Sequence, residues 1–153
     1  MRSMLFDKMY SPSPSPDRWV LHNDRMLRAN LGPDVLAAKG AMVAYQGRLT
    51  FHHEGSGNLG RLVRRVVSSD DAPLMRVQGQ GWCYLARLNQ QVFVLELEGD
   101  GISVGGAHIL AFDASLEWDI RRTQGGMGAV LTQGVFNTLI QGSGTVALTS
   151  DGP

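Results

Sequence analysis

The glycines of Gly55-Ser56-Gly57-Asn58-Leu59-Gly60 have the spacing G-x-G-x-x-G, in which bare backbone approaches a pyrophosphate where a strand gives way to a helix. That chemistry also requires a parallel βαβ unit and an acidic side chain about 20 residues on to hold the ribose. The sequence near position 80 offers Gly79-Gln80-Gly81 instead, and a second glycine cluster, Gly125-Gly126-Met127-Gly128, occupies a comparable connection later in the chain. Both clusters read as structural loops, and no cofactor is expected.

Leu59, Leu62, Val63 and Val66 recur at helical spacing with Arg61, Arg64 and Arg65 on the opposite side. These three arginines are the candidate contact for an anionic partner, with a solvated helix face as the plainer reading. His52 and His53 are adjacent, so on a strand they point to opposite faces and cannot chelate one ion. His53 is expected to be partly buried. His22 and His108 have no acidic or nucleophilic companion at useful spacing, which gives neither a catalytic role. Glu117 and Asp119 share one strand face with Asp113 just before them, as an exposed face would. The single cysteine, Cys83, reads as a small core hydrophobe. No catalytic, cofactor-binding or metal-binding residues are assigned.

The composition narrows the classes further. Fourteen Lys plus Arg balance fourteen Asp plus Glu, which removes the broad positive footprint of a nucleic-acid binder. One cysteine forbids an internal disulfide and favours a reducing compartment, the cytoplasm by default. No apolar run approaches the ~20 residues of a membrane-spanning helix, and no signal-peptide pattern opens the chain.

The elements that must position these residues are strands. Residues 1–17 read as a flexible tail with a Ser-Pro linker at 11–16, and the folded domain as 18–153. In Gln91–Glu98 the alternation predicts Phe93, Leu95 and Leu97 inward, followed by a turn at Gly99-Asp100-Gly101. Ala114–Ile120 predicts Leu116, Trp118 and Ile120 inward. Nineteen glycines between short apolar runs suit many strands joined by tight turns.

Sliding the sequence along itself by 67 positions sets Val43-Ala44-Tyr45 on Leu110-Ala111-Phe112, and Leu49 and Phe51 on Leu116 and Trp118. At an offset of 63, Val77-Gln78-Gly79-Gln80-Gly81 meets Ile140-Gln141-Gly142-Ser143-Gly144, and Cys83 and Leu85 meet Val146 and Leu148. The chain is therefore expected to hold two tandem pseudo-repeats, about 25–86 and 92–150, packed as an all-β sandwich or jelly roll with at most one short helix. Tyr45 and Phe112, and Phe51 and Trp118, are expected at equivalent core positions.

Gly40-Ala41-Met42-Val43-Ala44-Tyr45, the Gly79-x-Gly81 block, Leu110-Ala111-Phe112-Asp113, and Gln141-Gly142-Ser143-Gly144 leading to Ser150-Asp151-Gly152-Pro153 together resemble the altered-inheritance-of-mitochondria, or mitochondrial biogenesis, family in its bacterial form. The resemblance implies a β-sandwich similar to the tryptophan RNA-binding attenuator protein and a homo-oligomer, with a trimer favoured. It carries no catalytic residues. Members of the family continue with further strands beyond the Ser-Asp-Gly-Pro block, which leaves open whether the second unit is complete here. The expected function is a non-enzymatic assembly or scaffold protein with an unidentified protein partner. The alternative is a ligand- or RNA-binding module by analogy of fold.

Overall fold

The computed structural model describes residues 14–54, 74–122 and 136–152. They form nine strands: β1 Trp19–Asn23, β2 Met26–Leu31, β3 Val35–Ala38, β4 Met42–His53, β5 Leu74–Leu85, β6 Gln91–Gly105, β7 Ile109–Asp113, β8 Glu117–Arg122 and β9 Phe136–Ser150. A single 3-10 turn at Gly106–His108 is the only helical element among the described residues. The chain is all-β. Every strand pair is antiparallel, in one sheet ordered β1-β2-β5-β3-β7-β9-β6, with β4 paired to β5 and β8 to β9.

Two long strands organise the sheet. β5 holds β2 and β3 in succession along one edge and β4 along the other. β9 holds β6 along one edge, and β7 and β8 in succession along the other. The halves join where Leu36 of β3 stands opposite Phe112 of β7. Between β5 and β6, Leu88 and Asn89 both take positive φ, and the Gln90 N–H donates to the Arg87 carbonyl at 2.8 Å. Two such residues in succession match the twist of the strands they connect.

The two halves share a local irregularity. Met42 stands opposite Leu85 and Ala44 opposite Tyr84, so Val43 is bulged out of the ladder. Ile109 stands opposite Leu148 and Ala111 opposite Ala147, so Leu110 is bulged likewise. Farther along, Phe51 faces Val77 as Trp118 faces Ile140.

The core lies in two clusters. The first gathers Leu27, Ala29, Val35, Ala37, Cys83 and Leu85 from the first half with Val92, Leu110 and Ala147 from the second. The second gathers Leu36 and Leu74 with Ile109, Phe112, Leu116, Ile140 and Val146. All four residues of β3 are buried, as are the first four of β7, because these strands lie between the clusters. Their uninterrupted apolar runs are the pattern expected of strands covered on both faces.

Several inward assignments need correction. Phe93 is exposed, whereas Val92 and Leu97 are buried. β6 serves the first cluster with Val92 and Val94 and the second with Leu95 and Leu97, so no single face is buried throughout. Gly99-Asp100-Gly101 is not a turn between strands. β6 runs through it, and the register shifts between Glu98 and Asp100. Tyr45 is 50% exposed, although its counterpart Phe112 is fully buried. His53 is exposed rather than partly buried, opposite Met75.

Candidate functional site

The residues that could have carried chemistry are mostly occupied structurally. Asp113 accepts from Arg18 Nε at 2.8 Å and Trp19 Nε1 at 3.3 Å through Oδ1, and from the Thr145 N–H at 2.8 Å through Oδ2. The same arginine donates from Nη1 to the Asn30 carbonyl and from Nη2 to the Pro33 carbonyl, both at 3.0 Å. Asp113 thus ties the start of β1 to β9 across the junction of the halves. Glu117 is exposed and Asp119 half-buried on β8. His108 bonds through Nδ1 to the Thr149 carbonyl oxygen at 3.0 Å, and His22 packs edge to face on Tyr84.

Cys83 lies in the core, where burial pushes its thiol up to about 11. Among the described residues no three His, Cys, Asp or Glu side chains stand close enough to hold a metal ion. No helix among them is long and apolar enough to cross a membrane. Arg61, Arg64, Arg65 and the glycine motif at 55–60 lie outside the described residues.

Sequence reasoning missed a polar cluster on β5. Arg76 bonds both oxygens of Glu54 at 2.8 Å and reaches Asp34 Oδ2 at 3.1 Å, while Gln78 Nε2 donates to the same Asp34 oxygen at 2.7 Å. The Glu54 carboxylate first, then Asp34, holds the guanidinium above its ordinary range against the opposing effect of burial. Arg76 is thus charged at every accessible pH. The bidentate geometry anchors the end of β4 to β5 and to the residue preceding β3.

Nearby, β4 and β5 approach unusually closely. A Cβ on Gly79 or Gly81 would overlap the carbonyl oxygens of Arg48 and Gln46 respectively, and both glycines take positive φ. Gly47, Arg48, Gly79 and Gln80 line an open depression of about 470 Å³ beside this crossing.

The feature that stands out is the start of β4. Met42, Val43, Ala44 and Tyr45 are all exposed, Val43 at 55%. Ile109, Leu110, Ala111 and Phe112 are all buried. Composition does not separate the two quartets; their neighbours do. β7 is flanked by β9 and β3, whereas β4 pairs only with β5 among the described residues. Contiguous apolar groups on an edge unpaired among the described residues make this a candidate interaction surface. In the sequence the run Ala41–Tyr45 shows only that an apolar surface is present, since it lacks the polar alternation of a strand facing water, and not which strand covers it.

Ser15 meets a different region of the sheet. Arg28, almost fully buried, donates from Nη2 to the Ser15 carbonyl and stacks over Trp82 at 4.8 Å from the ring centroid.

The family model described as Mitochondrial biogenesis AIM24 matches residues 19–153. A crystal structure of a protein from Streptococcus pyogenes is similar in fold, with a TM-score of 0.63 and 23% identity over 86% of this chain. The match covers 62% of that protein, so the chain spans less than two-thirds of its length. No curated protein matches the sequence.

Proposed function

Because the chain belongs to the mitochondrial biogenesis AIM24 family, we propose that it acts as a non-enzymatic assembly protein: a β scaffold that associates with copies of itself and presents the resulting surface to a protein partner. The observation that carries this reading is the exposed apolar start of β4, Met42–Tyr45, whose second edge is unpaired among the described residues. Two tandem units are part of the proposal. Their support lies in the matching bulges at Val43 and Leu110 and in the pairs Tyr45 with Cys83 and Phe112 with Val146.

A trimer is the favoured assembly and the cytoplasm the favoured compartment, the latter supported by a lone cysteine kept as a buried thiol. Light scattering coupled to gel filtration tests the assembly against a chain mass of 16.6 kDa. A trimer near three times that mass is expected; a monomer across micromolar concentrations would refute self-association. Partners captured from native cells by the wild type, and lost with Val43→Arg, would identify what the surface serves.

A further inference from the structure

The junction inside the chain specifies what the uncovered edge can accept. β3 pairs with β7 through Val35 opposite Asp113, Leu36 opposite Phe112 and Ala37 opposite Ala111. In the first half, the strand standing where β7 stands in the second is β4, since Ala44 and Tyr45 face Tyr84 and Cys83 as Ala111 and Phe112 face Ala147 and Val146. The strand standing where β3 stands is the end of β6, since Val35 faces Val77 as Ile102 faces Ile140. Within one chain these last two edges are not paired with each other among the described residues. β6 is the terminal strand of the sheet and β4 pairs only with β5 among the described residues.

Resting on the self-assembly reading above, we propose that the β4 edge at Ala44–Gln46 pairs antiparallel with the β6 edge at Ile102–Val104 of a second copy, repeating between chains the junction that β3 and β7 make within one. The register follows from the internal one: Gln46 opposite Ile102 of the partner subunit, Tyr45 opposite Ser103 of the partner subunit, and Ala44 opposite Val104 of the partner subunit.

Three observations favour this occupant. In an antiparallel ladder successive residues direct their N–H and C=O groups alternately to one neighbour and the other. Because the inner pairings of β4 and β7 correspond residue for residue, bulge included, their outward groups correspond too, and so do those of β3 and the end of β6. The apolar quartet Met42–Tyr45 would gain the cover that its counterpart Ile109–Phe112 already has. Carried two residues farther, the same register sets exposed Arg48 opposite exposed Asp100, at the end of the acidic run Glu96, Glu98, Asp100. The contact joins two different edges, so each copy offers one of each, and successive copies join head to tail, into a ring where the rotation between them closes.

Paired cysteines test the register directly. Tyr45→Cys with Ser103→Cys, and separately Ala44→Cys with Val104→Cys, sample both kinds of opposed position, of which the closer favours disulfide geometry. Cys83 can stay, being buried and largely un-ionised below its raised pKa. Mild oxidation is expected to give reducible covalent species at multiples of 16.6 kDa from at least one double variant and from neither set of single variants.

Light scattering on the same samples separates the two ideas. An oligomer that fails to cross-link with either pair overturns this edge pairing and leaves self-assembly standing. A monomer overturns both. A dimer cross-linked by Tyr45→Cys alone would place β4 against β4 and overturn the pairing as well. Tyr45→Glu, on an exposed side chain, is expected to give a folded monomer with an unchanged far-ultraviolet spectrum; an unaltered oligomer would count against the proposal.

Discussion

The rings of Tyr45 and Phe51, six residues apart on one strand, meet edge to face with centroids 5.3 Å apart and planes at 64°. A straight strand rising ~3.3 Å per residue would hold such residues roughly 20 Å apart. β4 therefore bends sharply between them, where Gly47 takes a φ of 109°. Phe112 and Trp118, also six residues apart, meet at 6.4 Å and 68°, with the chain turning at Ala114-Ser115. One half bends a continuous strand through glycine and the other breaks it into β7 and β8, and both bring an aromatic pair together.

The two aromatic pairs differ in burial, and truncation should separate them. Phe112→Ala removes a fully buried ring and is expected to cost about 3 to 5 kcal/mol in chemical denaturation. Tyr45→Ala, at half exposure, should cost about 1 kcal/mol or less in the dilute monomer. Equal losses at the two positions would contradict the burial described.

Gly81 is expected to tolerate no side chain. Its φ is 141°, and a Cβ there meets the backbone of β4 rather than a movable side chain. Gly81→Ala should lower stability by about 4 kcal/mol or more, or abolish folding. Gly40→Ala, with a φ of 81° and open space around the new methyl, should cost only about 1 kcal/mol. Thermal melts of the two variants side by side check the contrast.

Asp113→Ala removes the acceptor for Arg18, Trp19 and the Thr145 N–H together. Leaving a part-buried guanidinium and a backbone donor without it should cost roughly 2 to 4 kcal/mol. Asp113→Asn, which keeps one acceptor oxygen, should lose less. Urea titration of the three proteins would show the order, and identical midpoints for wild type and Asp113→Ala would exclude the tie.

The buried thiol gives a pH dependence with a definite sign. Its pKa rises from 9.0 to about 11 on folding because burial disfavours the thiolate. Between those values the folded chain keeps a proton that the unfolded chain releases, so stability falls as pH rises and is fully present below 9. At about 1.4 kcal/mol per unit, the loss across the window is on the order of 2 to 3 kcal/mol. Denaturation midpoints at pH 8 and pH 11 should show it, with a smaller difference in Cys83→Ala. Equal slopes in both proteins would place its origin elsewhere.

How much of this was legible in the sequence depends on whether a property is local. Strand alternation and glycine spacing are local, and the all-β class followed from them. The inward placement of Leu116 was also readable from its period-two neighbours, and it is buried. Burial of Tyr45 and Phe93 was not readable, because it depends on which strand lies alongside and on where one core cluster gives way to the other. Gly99 was legible as a break in the ladder but not as a bulge, since a turn and a one-residue insertion call for the same residue type. The Arg76 cluster gathers residues 34, 54, 76 and 78, a spacing that carries no motif.

Four residues long, β3 belongs to both halves at once: it pairs with β5 along one edge and β7 along the other, and its faces lie in both core clusters. Neither half can melt without stripping an edge and a face from the other, so the halves cannot unfold as independent cooperative blocks. The amides of Leu36 and Ala37 are then expected to exchange with solvent only through global opening, with an exchange free energy equal to that of the whole domain. A chain cut between the halves leaves each fragment with an open edge on the strand that should have been shared, which makes the pair suited to complementation rather than to separate folding.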